Sequence, residues 1–432
     1  MSVEVAEVWL WGTHIASVAT VDGKTTFQYT PDFQLSGIEV APLTLPLGPA
    51  IYADFERLNP DTFHGLPGLL ADSLPDKFGQ ALIEQWLATQ GRTLSDFSAI
   101  EQLCYVGSRG MGALEYQPQT RRAGLEESEL VDIERLVDLA SAALEPKKSL
   151  RASGNFSRED LTDIISVGTS AGGARAKAVI GWNEATNEVR SGQLDLPNGF
   201  DHWLLKFDGV ENNKDKDRLA DPVGYGRIEY AYSLMAKAAQ IAMPRTRLLE
   251  EGGRAHFMIE RFDRTAGAGR FHYQSLNAIG HHDYNTPRST SYEVAFRVLR
   301  QLGVPRNDIE QQFRRAVFNV IARNQDDHTK NIGFLMNKAG EWQLSPAFDV
   351  TYAYRPDSPW VSQHQMTINL KADDFERSDL HRLAETADID GRKSDAIINE
   401  VQDTVANWPK YASTAGVPDR DQVALARTFR QI

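Results

Sequence analysis

Four local signatures follow one another along this chain, and their order limits what it can fold into more than any one of them does. A glycine-rich turn, SAGGARAK (170–177), runs into a strand-like segment. Lys206 sits inside a later apolar run, WLLKF (203–207). An Asp…Asn loop, NQDDHTKN (324–331), follows a long amphipathic segment, and Asp349 closes LSPAFD (344–349) beyond a short hairpin. A glycine turn can turn backbone N–H groups toward phosphate, and carboxylate and amide oxygens suit a hard cation. Phosphoryl transfer needs parts of these kinds, because positioning and charge neutralisation do most of the catalytic work there.

Each signature also has a plainer reading of its own. Asp326 and Asn331 stand at i and i+5, the spacing of base and metal ligand in the protein-kinase catalytic loop. Asp is nevertheless common in loops, so DDH or FD alone reads as solvated acids. Lys206 is either a phosphate contact on a buried strand or an edge-strand lysine facing water. SAGGARAK offers Gly172 and Gly173 for close backbone approach, with Arg175 and Lys177 for charge. It is neither a P-loop nor a full G-x-G-x-x-G, and alone it reads equally as a flexible hairpin. IERFDR (259–264) stands where a two-lobed kinase would present a hinge to adenine, or simply closes two strands with a salt-bridged turn. HHD (281–283) reads as a loop, because adjacent histidines do not share a helix face. In order, and after a capped helix, the four signatures point to function, with Asp326 as base and Asn331 and Asp349 as cation ligands.

The remaining chain reads as mixed α/β. In MSVEVAEVWLWG both parities are mostly apolar, which predicts a strand buried on much of both faces and closing at Gly12. Asp76 is the expected N-cap of a helix carrying Phe78, Ala81, Leu82, Trp86 and Leu87 up to Gly91. CYVGSRGMGALEY (104–116) reads as glycine-rich and then strand-like, 126–144 as a helix, and 147–156 as a linker. A strand at 178–182, a helix at 225–242 and a hairpin at 247–262 turning on Gly252-Gly253 follow. Asn307 with Glu310 forms an N-x-x-E capping pattern ahead of the stripe Ile309, Phe313, Ala316, Val317, Val320 and Ile321. The tail, 376–432, is helical in pattern.

Composition narrows the function. A net charge of −13 disfavours independent high-affinity binding to nucleic acid. A single cysteine, Cys104, excludes an intrachain disulfide or a CxxC zinc site and fits a reducing cytosol. No signal-peptide pattern opens the chain, and no stretch approaches the roughly 18 apolar residues of a membrane span, so a cytoplasmic protein without membrane contact is expected.

GLPGLLADSLPDKFG (65–79), YVGSRGMGALEY (105–116), SAGGARAK, WLLKF, IERFDR, NQDDHTKN and LSPAFD together resemble the HipA family, the serine/threonine kinase toxins of bacterial type II toxin–antitoxin systems. The resemblance covers most of the chain, and the last two motifs are its most specific part. It implies an α/β, bilobal protein-kinase-like fold: a HipA-type N-terminal domain over 1–120, a kinase N-lobe over 150–265, and a mainly helical C-lobe over 266–432. It implies ATP and Mg2+ as cofactors. Asp326 would be the catalytic base, Asn331 and Asp349 the magnesium ligands, and Lys206 the contact to the ATP phosphates. Gly172, Gly173, Ala174, Arg175, Ala176 and Lys177 would line the phosphate loop, and Glu260, Arg261 and Phe262 the adenine hinge. His328, Thr329, Lys330, Asn331 and Phe348 would lie near the nucleotide.

By the same resemblance Ser170 is the autophosphorylated serine, whose added charge would repel nucleotide. The implied partner is a HipB-like helix-turn-helix antitoxin dimer, through which the pair holds operator DNA. The implied substrate is a translation protein such as glutamyl-tRNA synthetase. The loop departs from the family at Arg175 and Ala176, and Gly168 stands where shorter members carry a second serine. Two rival functions use the same residues: an ATP-dependent small-molecule phosphotransferase, and a non-catalytic co-repressor.

Overall fold

The computed structural model describes residues 5–21, 24–120, 132–143, 164, 168, 175–193, 195–210, 224–265 and 269–432. It opens with an antiparallel sheet of β1 (Val5–Leu10), β2 (Thr13–Val21), β3 (Lys24–Tyr29) and β4 (Leu114–Gln117), in the order β3-β2-β1-β4. The expectation that the first strand is buried on both faces is corrected. Ala6, Val8 and Leu10 are buried, while Val5 is 52% exposed and Glu7 and Trp9 are only half-buried. One face of an antiparallel sheet packs on the core and the other meets solvent. The β1–β2 turn places Trp11 and Gly12 at φ of 50° and 80°, the positive pair a tight hairpin requires.

Short helices α1 (Pro31–Gln34), α2 (Pro60–Phe63) and α3 (Gly68–Ala71) lead to α4 (Lys77–Ala88). Asp76 caps α4 as expected, its carboxylate accepting the Gly79 N–H at 2.8 Å. The glycine-rich reading of 104–116 is corrected at its start. Cys104 lies inside α5 (Ala99–Val106), launched by a Ser98/Glu101 capping box, and the strand begins only at Leu114. A reciprocal cap satisfies two otherwise orphaned backbone donors, which sets the helix start more firmly than the downstream glycines can oppose. Of the helix expected over 126–144, α6 (Ile133–Ala143) is present; its expected start and the 147–156 linker lie outside the described residues.

The second sheet is antiparallel and five-stranded, in the order β6-β5-β7-β9-β8: β5 (Lys177–Asn183), β6 (Glu188–Ser191), β7 (Asp201–Lys206), β8 (Thr246–Glu251) and β9 (Arg254–Glu260). Its β8–β9 hairpin turns on Gly252 and Gly253 at φ of 55° and 79°. Between β7 and β8, α7 (Tyr225–Ala238) crosses the sheet so closely that a Cβ on Gly226 would stand 2.1 Å from the Ala255 carbonyl oxygen. Phe78 and Leu82 of α4 and Leu136 of α6 share one buried cluster with Ala178, Trp203 and Leu205. The N-terminal region therefore supports this sheet directly.

A small ladder, β10 (Arg264–Thr265) with β11 (Gly269–Arg270), leads to a three-stranded sheet of β12 (His272–Ser275), β13 (Gly333–Met336) and β14 (Trp342–Leu344). Around it pack α8 (Leu276–Gly280), α9 (Tyr292–Gln301) and α10 (Arg306–Ile321), then α11 (Arg377–Thr386), α12 (Gly391–Ala406), α13 (Trp408–Thr414) and α14 (Asp419–Ala426). The expected N-x-x-E cap is corrected. Helix α10 starts after Pro305, whose φ of −55° already suits a helix entry, so Asn307 lies inside the first turn. The apolar stripe stands: Phe313, Ala316, Val317, Val320 and Ile321 are buried. Among the described residues no helix is long and apolar enough to cross a membrane.

Candidate active site

Lys206 is not an edge residue. β7 is the central strand of its sheet, and the Lys206 side chain is 6% exposed. A buried ammonium needs compensating charge, and two carboxylates supply it: Glu229 on α7 and Asp349 beyond β14, both in direct contact with Nζ. Burial works against the charged lysine, yet Asp349 and Glu229 together hold its pKa above the ordinary value. Glu229 also accepts Arg175 Nη1 at 3.1 Å. Burial opposes ionisation of Asp349 as well, but Lys206 and Lys177 overcome it and bring the carboxyl down to about 2. Asp349 is therefore an anion at any physiological pH, held at a left-handed φ of 52°.

Helix α10 delivers the second half of the site. Its exit is pinned by Asn324, which bonds back to Asn319 through its backbone at 3.0 Å and its side chain at 2.9 Å. In the loop that follows, Asn331 donates Nδ2 to the Asp326 carbonyl at 2.8 Å, which leaves Oδ1 as the atom able to meet a cation. The neighbouring acid, Asp327, is buried and accepts the Tyr292 hydroxyl at 2.7 Å and the Gln365 N–H at 2.8 Å, and it contacts His364 Nδ1 at 2.7 Å. The Asp326 carboxylate is 41% exposed and accepts Gln365 Nε2 at 3.4 Å. One acid thus anchors the loop while the other faces outward.

Between the two halves lies a cleft that takes in about 770 Å³ of space, part of it open to solvent. Its apolar wall includes Leu204, Ile259, Phe262, Tyr273 and Phe348, with the Phe262 and Phe348 rings 5.5 Å apart. Its polar wall includes Asn331, Asp349, Lys330 and Ser275, together with Asp72 from the N-terminal region. Burial pushes the Asp72 carboxyl upward, against Lys330 and two Ser275 hydrogen bonds. A smaller cavity also touches Asn331, Phe348 and Asp349, and it takes in Asp327 and His328.

Two family matches cover most of the chain: residues 6–117 match the HipA N-terminal domain, and residues 169–408 match the HipA-like C-terminal domain. The chain belongs to the HipA family. A curated relative, Y4mE of Sinorhizobium fredii, named as a candidate kinase, is 25% identical over 83% of this chain and 80% of its own length. Among solved structures, HipA of Shewanella oneidensis in complex with HipB and operator DNA superposes with a TM-score of 0.68. That match covers 98% of this chain and 94% of the other at 16% identity. The fold is therefore the α/β, kinase-like fold of HipA.

Asp326 and His328 are not among the cleft-lining residues, and within this HipA chain the other expected site residues divide into three groups. Glu260, Arg261, Phe262, Lys330, Asn331, Phe348 and Asp349 line the cleft, and Lys206 contacts Asp349 at its edge. The backbone amides of Glu260 and Arg261 donate to the carbonyls of Arg245 and His202. Others point elsewhere. Lys177 is buried 3.4 Å from Asp76, Ala176 is buried, Thr329 donates to the His282 carbonyl, and Arg175 stacks over Tyr225. Ser170, Gly172, Gly173 and Ala174 lie outside the described residues. Sequence reading of this HipA chain missed Glu229 and Asp72. Glu229 carries a legible signal, a carboxylate inside the otherwise apolar-to-aromatic run IEYAY (228–232) on the helix after the lysine strand. Asp72 carries none, because only tertiary packing brings it to the cleft.

Proposed function

We propose that this chain is an ATP-dependent serine/threonine protein kinase and the toxin of a type II toxin–antitoxin module. The observation that carries the reading is the buried Lys206, bonded at once to Glu229 and Asp349. A strand lysine paired with a helix glutamate and adjoining a cleft aspartate is the arrangement that protein kinases use for phosphoryl transfer from ATP. The naming of Y4mE as a candidate kinase supports it. In this reading residues 1–120 form the N-terminal domain, 150–265 the N-lobe and 266–432 the C-lobe. The apolar wall and the 260–262 hinge receive adenine. Lys206 and Lys330 face the phosphates, with His328 and Thr329 shaping the catalytic loop beside them.

The donor set suits Mg2+. Asp349 is ionised and Asn331 offers an amide oxygen on the same cleft. Among the described residues no group of three His, Cys, Asp or Glu side chains forms an all-protein cage, and Mg2+ favours few protein ligands beside phosphate and water. When bound, the ion would neutralise phosphate charge. In this reading Asp326, whose backbone carbonyl accepts from Asn331, takes the proton of an incoming hydroxyl.

The substrate in this proposal is a cytoplasmic translation protein such as glutamyl-tRNA synthetase, and Ser170 is the self-modification site. A HipB-like antitoxin dimer carries the chain to operator DNA, as the Shewanella HipA structure does with its own HipB and operator. The test is incubation of purified protein with γ-labelled ATP and magnesium, followed by mass spectrometry. Label on Ser170 and on an added substrate, both lost in Asp326→Ala, is the expected result. Wild-type labelling by Asp326→Ala removes Asp326 from its role. Turnover of a metabolite without any phosphoprotein points to a small-molecule phosphotransferase, and nucleotide binding without turnover to a co-repressor.

A further inference from the structure

The last four carbonyls of a helix have no partner inside it, and α10 is the helix that presents the catalytic loop. Here the accounting closes. Phe318 O accepts the Ala322 N–H at 2.8 Å and Asn319 O the Asn324 N–H at 3.0 Å. Ile321 O accepts the backbone N–H of Arg430 at 3.0 Å, and Val320 O accepts Arg430 Nη1 at 2.9 Å. A residue more than a hundred positions downstream therefore supplies half of the helix's C-terminal cap, with its cation at the negative end of the dipole.

The same guanidinium reaches the loop by a second route. Arg430 Nη1 lies 2.9 Å from His364 Nε2, and Nη2 contacts Asp373. A guanidinium only donates, so Nε2 must carry the lone pair and Nδ1 the proton. The Nδ1–H then donates to Asp327 at 2.7 Å, with both side chains essentially buried. Gln365, next to His364, bonds Asp327 through its backbone and Asp326 through its side chain.

We propose that Arg430 is a positioning residue for the reaction. Through the α10 carbonyls and through the His364–Asp327 pair it holds the loop that bears Asp326 and Asn331. This deepens the kinase reading and rests on it. Lysine cannot replace Arg430, because one ammonium cannot span Val320 O, His364 Nε2 and Asp373 in a planar fork.

The test uses full-length protein with Arg430→Ala, Arg430→Lys, His364→Leu and the Arg430→Ala/His364→Leu double variant. Phosphoryl-transfer kinetics are measured alongside hydrogen–deuterium exchange of residues 325–331. Arg430→Ala should lower kcat roughly 10- to 100-fold while KM for ATP moves less than about twofold, as expected for a displaced catalytic group. Arg430→Lys should recover less than half of that loss. The double variant should be no worse than about twofold below the poorer single variant, since both cut one chain of contacts. Exchange over 325–331 should quicken in all four. Losses that multiply in the double variant, or full recovery by lysine, overturn the proposal. A wild type that transfers no phosphate sinks the kinase reading itself; exchange then decides alone, and unchanged exchange in Arg430→Ala refutes the positioning role.

Discussion

At the scale of single residues, charge compensation decides what can be buried. Glu229 holds both Lys206 and Arg175, so Glu229→Gln withdraws one charge from two cations. We expect kcat/KM for ATP to fall about 100-fold, a loss typical of a misaligned phosphate contact, and a steady-state assay measures it. Asp263 shows the same principle at the end of IERFDR. Its carboxylate accepts Arg261 Nη2 at 2.7 Å, Arg264 Nη1 at 2.6 Å and the Gly112 N–H at 2.7 Å. Burial alone would raise its pKa, but the two guanidinium groups hold it well below the usual carboxylate range. A pKa depressed on folding contributes stability above the unfolded value, ~3.9, and that contribution fades as pH falls below it. Asp263→Asn should therefore cost about 3–5 kcal/mol at neutral pH. The gap to wild type should narrow on acidification below about pH 4, read from melting curves at several pH values.

At the scale of elements, the N-terminal helix α4 and the strand β5 meet through one carboxylate with two duties. Asp76 caps α4 and pairs with Lys177, whose side chain is 3% exposed. Asp76→Asn keeps a capping oxygen and loses the charge, whereas Asp76→Ala loses both. The alanine variant should be less stable than the asparagine variant by about 1 kcal/mol, the usual worth of an N-cap. The larger drop from wild type to asparagine reports the ion pair. Chemical denaturation of the three proteins separates the two terms, and equal stability of both variants would remove the cap from the account. The element scale also explains where sequence reading went astray. A missed helix end at Cys104 and a misplaced helix start at Asn307 arose where a nearby pattern, the glycines after Cys104 or Asn307 with Glu310, competed with a stronger local determinant. Those determinants were the Ser98/Glu101 box and Pro305.

At the scale of the whole molecule, a net charge of −13 sets the terms of any contact with DNA. Without counterion release the chain alone should retain no duplex at about 1 µM and 150 mM salt, and retention should appear only when an antitoxin is added, as gel-shift titration would show. The kinase-like frame and most of the cleft were legible in advance. The Asp326…Asn331 spacing, Asp349 and the hinge run are local patterns, and residues close in sequence keep their spacing however the chain folds. Lys206 was legible as a residue but not as a buried one, because whether a strand lies at an edge or a centre depends on which strands pair beside it. Glu229 left a trace in IEYAY (228–232), but Asp72 and Arg430 were settled by tertiary structure alone. Each acts across a long sequence separation, where what decides the contact is which buried charge or orphaned carbonyl the packing leaves to be satisfied, and no local pattern encodes that.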